Sequence, residues 1–121
     1  MSKASRKGAT FETQIADYIS QRLGKEVIRR RLTGQNDKGD LHGLKMRGKR
    51  VTVECKNRKQ MNLSQWIDEA EIERGNDDGE FGIVIHKRPG KGAKNLGENY
   101  VTMTLDTYLG MTAGAMELLE D

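Results

Sequence analysis

Cysteine occurs once, at Cys55, which rules out an internal disulfide and a cysteine-based zinc site. Histidine is almost as scarce, and His42 and His86 stand too far apart in the chain to suggest a histidine metal cluster. Any metal must therefore be held by oxygen. Proline appears only at Pro89, so no proline-rich linker divides the chain. No apolar run approaches the roughly 20 residues that span a bilayer, and Met1-Ser2-Lys3-Ala4-Ser5-Arg6-Lys7 leads into no signal-like apolar stretch. A cytoplasmic location with no membrane partner is the resulting expectation. Gly90-Lys91-Gly92 lacks the upstream glycine and the following Ser or Thr of a nucleotide-binding loop, so no ATP use is implied.

Charge is abundant. Charged types make up 32% of the 121 residues against 35% apolar, which suits one domain over 1–121 with a modest core. The net charge of +3 conceals an asymmetry. Residues 1–60 carry 16 Lys and Arg against 6 Asp and Glu, whereas residues 61–121 carry 5 against 12. Clustered cations attract polyanions by Coulomb forces and counterion release, so the first half suits phosphate. Arg29, Arg30 and Arg31 are the densest cluster, and strand alternation lets at most two of them face DNA together. The loop 87–98 is rich in Gly and Lys and serves equally well as a strand-binding or a merely solvated segment.

Phe11, Ile15, Tyr18, Ile19 and Leu23 recur at helical spacing, with Thr10 available as N-cap and Gly24 as terminator, which predicts a helix over about 10–23. Residues 26–32 read as a strand, and 33–39 as a loop of turn formers. Residues 40–46 and 49–57 flank Arg47-Gly48 and form a hairpin. Asn62 with Gln65 resembles a capping box, opening a helix with the stripe Leu63, Trp66, Ile67 and Ala70 that ends near Gly75. Its outer face, with Asp68, Glu69, Glu71 and Glu73, reads as acidic. Trp66 suits the core or an interface better than base stacking. Residues 81–86 read as a buried strand, 100–104 as another, and the tail from Leu105 as helical. The fold class is α/β, a central mixed five-stranded sheet flanked by helices in the order α-β-β-β-α-β-β-α.

In 49–57, Val51, Val53 and Cys55 alternate with Thr52, Glu54 and Lys56, so Glu54 and Lys56 share a face. Folding back about the hairpin brings Asp40 beside them. Register decides the outcome: a plain two-residue loop pairs Asp40 with Cys55, whereas one extra residue, such as a bulge at Gly48, pairs it with Glu54 or Lys56. The bulge is the expectation. Two carboxylates and a lysine suit phosphodiester hydrolysis, with Asp40, Glu54 and the Cys55 carbonyl holding Mg2+ and Lys56 orienting water or stabilising phosphate charge. Glu54-Cys55-Lys56 is the one acid-x-Lys in the chain.

Asp40, thirteen residues, then Glu54-Cys55-Lys56 resembles the PD-(D/E)xK nuclease motif, with Gly39 in the place of proline. Arg6-Lys7-Gly8-Ala9-Thr10-Phe11-Glu12 resembles the opening of archaeal-type Holliday junction resolvases, the likeness running from about Arg6 to Tyr100. The resemblance implies a restriction-endonuclease-like core and a homodimeric, Mg2+-dependent enzyme, with Mn2+ as a substitute, that cuts four-way DNA junctions. It also implies that Glu12 completes the catalytic and metal set and that the basic N-terminus, Arg6 and Lys7, contacts DNA. Lys38, Arg58 and Lys87, together with the arginine cluster, complete the expected DNA-binding set. Another endonuclease of this superfamily and a non-catalytic DNA-binding module remain the alternatives.

Overall fold

A computed structural model describes residues 3–30 and 37–120, with the side chains of 3–7 and 9 outside that description. Among the described residues three α-helices flank a mixed open sheet, and a short 3-10 helix, Ala93–Glu98, occupies the second half of the segment expected as the loop 87–98. Helix α1 spans Lys3–Leu23, and Phe11, Ile15 and Ala16 form its buried stripe. It begins a full two turns before the predicted residue 10. Apolar periodicity marks only the striped part of a helix, and residues 3–9 carry no apolar stripe to signal one. Its end is as predicted: Gly24, at φ 66°, donates its N–H to the Ser20 carbonyl at 2.9 Å.

Strands β1 (Ile28–Arg29), β2 (Leu41–His42), β3 (Lys45–Met46) and β4 (Lys49–Lys56) follow, then α2 (Leu63–Asn76), β5 (Phe81–His86), β6 (Tyr100–Thr102) and α3 (Leu105–Thr112). The sheet order is β1-β2-β4-β5-β6, with β3 paired to β4. β4 and β5 are parallel and joined by α2, the crossover that a parallel pair requires; every other pairing is antiparallel. Six strands replace the predicted five because the arm 40–46 is broken in two. The segment 26–32 yields only Ile28–Arg29 as strand among the described residues.

The break is the bulge. Met46 faces Lys49 and Lys45 faces Arg50 across a tight two-residue turn in which Arg47 (φ 52°) and Gly48 (φ 78°) are both left-handed. Farther up, Leu41 faces Val53, a shift of one residue. The extra residue therefore lies at Gly43-Leu44 rather than at Gly48. Gly43, at φ 124°, has no alternative: a Cβ there would stand 2.7 Å from the Glu26 carbonyl oxygen. With that shift, Asp40 comes beside Glu54 as expected, its own N–H donating to the Val53 carbonyl at 2.7 Å.

β4 is covered on both faces. Val51, Val53 and Cys55 pack with Ile83 and Ile85 beneath α1, while Trp66 and Ala70 of α2 pack on Val84. Trp66 thus belongs to the core. Each buried Val or Ile among them contributes about 1.5–3 kcal/mol. Asn62 does not cap α2 through its side chain; its amide instead donates to Gln65 Oε1 at 2.6 Å, so the capping box is absent. Among the described residues no helix is long and apolar enough to cross a membrane.

Gly43→Ala is expected to cost roughly 3 kcal/mol, because it adds a backbone collision to left-handed strain. Gly48→Ala, with open space around it, is expected to cost only about 1 kcal/mol. Urea unfolding of both variants checks this, and equal losses would place the bulge wrongly.

Candidate active site

The hairpin shift sets Asp40 against the end of β4, where its Oδ2 accepts the Cys55 N–H at 2.7 Å. A cleft opens there, lined by Glu12, Arg29, Asp37, Asp40, Glu54 and Lys56, with Cys55 and Arg58 beside them. All four residues predicted to be catalytic therefore meet in one place. Glu12 comes from α1, and its Oε2 takes the Arg29 Nε–H at 2.7 Å. Lys56 Nζ lies 2.6 Å from Glu69 Oε2 on α2.

Carboxyls crowd the cleft. Asp40 lies against Glu54, and Glu54 against Glu73 and Asp37. Such contacts need a proton on one partner of each pair, because an ionised carboxylate only accepts. Burial pushes Asp40 up to about 8, helped by the hydrogen bond and charge of Glu54. Burial likewise pushes Glu54 up to about 8, with Glu73 adding to the rise and Asp40 and Lys56 opposing it. Glu73 is pushed to about 7, again chiefly by burial, against the hydrogen bond from Glu54. Glu12 is raised mainly by burial, with Arg29 opposing. Burial would lower the Lys56 ammonium, but its bond to Glu69 and the charges of Glu54, Glu69 and Glu73 outweigh that and hold it above its ordinary value.

Cys55 is buried, and burial pushes its thiol up, so the sulfur is no thiolate ligand. Its part is the backbone N–H that holds Asp40.

Glu73 was expected on the outer acidic face of α2. It is instead 4% exposed and faces the sheet. The signal was in the spacing: Trp66, Ala70 and Glu73 lie at i, i+4 and i+7, so Glu73 continues the buried stripe. Asp37, read only as a turn former, accepts the Gly39 N–H at 2.9 Å and brings its carboxylate to Glu54 and Glu73.

The expected DNA-binding residues divide. Arg29 and Arg58 line the cleft, and Lys38 is exposed outside it. Arg30 turns away: its guanidinium holds Asp77 Oδ1 at 2.8 Å and also reaches His42 Nδ1. Lys87 is folded onto the Lys91 carbonyl. Arg31, and the side chains of Arg6 and Lys7, lie outside the described residues. A groove at the far end of β4 also contains an acid, Asp77, but its oxygens are occupied by Arg30, Arg50 and Thr52. Those partners hold Asp77 below its ordinary value despite its burial.

No protein-family model, curated protein or solved structure matches the chain.

Without divalent cations, Asp40 and Glu54 keep protons to about pH 8 and Glu73 to about pH 7 when folded, whereas unfolded carboxyls release them near pH 4. The folded state thus binds more protons in that window. This stabilisation is full below about pH 4 and is lost as pH rises through about 8. In EDTA the melting temperature is expected to fall between about pH 5.5 and about pH 8.5, and Glu54→Gln to flatten the slope. A rising melting temperature in wild type would contradict the protonated cluster.

Proposed function

We propose that this chain is a Mg2+-dependent, structure-selective DNA endonuclease with a restriction-endonuclease-like core, resolving four-way junctions as a homodimer. One observation carries the reading: Asp40, Glu54, Lys56 and Glu12 meet in a single cleft. The residues suit a hard divalent cation, because carboxylate oxygen is what Mg2+ and Mn2+ prefer and the buried carboxyls otherwise need protons. Asp40, Glu54, Glu12 and the Cys55 carbonyl are the groups to hold it. A bound Mg2+ supplies charge stabilisation at the phosphate and lowers the pKa of water near it.

The chain's own side chains do the rest. Lys56 stays protonated and, steadied by Glu69, presents a fixed positive charge to a phosphate oxygen. Arg29 and Arg58 on the rim draw the phosphodiester toward an otherwise acidic cleft. The cationic excess in residues 1–60 adds long-range attraction for DNA. A two-fold dimer matches the symmetry of a four-way junction and accounts for paired cuts. Val101, Leu105, Tyr108 and Leu109, left exposed on β6 and α3, offer apolar surface for self-association.

The test is cleavage of a labelled four-way junction beside matched duplex and flap, in Mg2+ and in EDTA. Paired nicks confined to the junction are expected, absent in EDTA and at least about 10²-fold slower in Asp40→Asn and Glu54→Gln. Equal cutting of every substrate would make it a general endonuclease; tight junction binding with no cutting in any condition would leave a binding module and sink the nuclease reading.

Binding in a salt series separates the arginines. Arg58→Ala is expected to weaken junction affinity and reduce the salt slope by about 1. Arg30→Ala should leave the slope unchanged and lower the melting temperature, because Arg30 is committed to Asp77.

A further inference from the structure

The polar face of β4 meets α2 rung by rung. Two residues of strand advance about 6.7 Å and four residues of helix about 6.0 Å, so positions 52, 54 and 56 can face positions 77, 73 and 69 in turn. The outer rungs are complementary. Thr52 Oγ1 donates to Asp77 Oδ2 at 2.9 Å, and Lys56 Nζ meets Glu69 Oε2 at 2.6 Å. The middle rung sets Glu54, 6% exposed, against Glu73, 4% exposed. Two acids face each other where their neighbours on either side have partners.

The cations bonded along the ladder serve other partners than that rung. Lys56 is held by Glu69, Arg74 bonds Glu71 and the Gly79 carbonyl, and Arg30 and Arg50 converge on Asp77. Asp37 joins them: one carboxylate oxygen from each of Asp37, Glu54 and Glu73 lies within 4.8 Å of the other two. That spread suits ligands about 2.0–2.6 Å from a common hard cation. Glu73 Oε2 is buried with no hydrogen-bond partner, an arrangement that an ion would resolve.

We propose that Asp37, Glu54 and Glu73 form a divalent-cation position of their own, sharing Glu54 with the Asp40 and Glu12 side of the cleft. The ligand set is entirely carboxylate oxygen, which selects Mg2+, Mn2+ or Ca2+ over thiophilic metals. With Glu54 as the shared ligand, the cleft accommodates a pair of ions, the arrangement that stabilises both the attacking and the leaving oxygen of a phosphodiester. That catalytic consequence rests on the nuclease reading; the existence of the cation position does not.

Mn2+ binding to the full chain without DNA tests it, by calorimetry on wild type, Glu73→Gln and Asp37→Asn. Each variant is expected to weaken one Mn2+ by at least about tenfold. Circular dichroism verifies folding. Asp37 is exposed, so Asp37→Asn keeps the test decisive should Glu73→Gln misfold. Isotherms of the folded variants that superimpose on wild type would overturn the proposal, whatever the junction assay shows. Weakened Mn2+ binding in a protein that cuts no DNA would uphold it while the nuclease reading fell.

Discussion

β4 is buried on both faces, and a buried strand can carry polar side chains only where each finds a partner. Its apolar face presents no difficulty: Val51, Val53 and Cys55 pack beneath α1. Its other face carries Thr52, Glu54 and Lys56, and α2 with its C-terminal flank answers with Asp77, Glu73 and Glu69. Strand and helix advance by nearly equal steps there, which lets one ladder serve three rungs. Two rungs close on themselves. The third, Glu54 with Glu73, closes only with a proton or a cation.

The hairpin makes the ladder reachable from outside. Gly43 absorbs one extra residue, and Asp40 is thereby moved from opposite Cys55 to the side of Glu54. Without the shift, Asp40 would face the core under α1 and be lost from the cluster. Asp77 shows the contrasting solution at the other end of the same strand. Two arginines and a threonine satisfy it, its pKa falls, and it is a structural anchor with no spare oxygen for a ligand.

Much of this was legible because strand alternation is local. Glu54 and Lys56 on one face follow directly from period two, and the need for a bulge follows from counting residues around Arg47-Gly48. Its location did not: choosing Gly43 over Gly48 depends on a close approach to the Glu26 carbonyl, a tertiary fact. Charge alone places Glu73 on the outer face of α2, but its position on the Trp66–Ala70 stripe buries it, and a charge on a buried stripe signals function more than surface. Arg30, counted in the expected DNA-binding set, is bonded to Asp77, 47 residues away in sequence, a tertiary partner that no local pattern signals. The early start of α1 escaped because a helical segment without an apolar stripe carries no periodic signal.

Charge logic then unites the cleft and the rest of the chain. On the proposed reading, the basic first half draws in a polyanion that Arg29 and Arg58 receive, and the acids behind them repel it unless a cation intervenes. The central claim is therefore that these acids hold a divalent ion. Anomalous diffraction at the manganese edge, from crystals grown with Mn2+, tests it most directly. The account predicts density against the Glu54 carboxylate, flanked by Asp40 on one side and by Asp37 and Glu73 on the other. Density confined to surface acids such as Asp78 and Glu80, with the cleft carboxyls bonded only to one another, would contradict it.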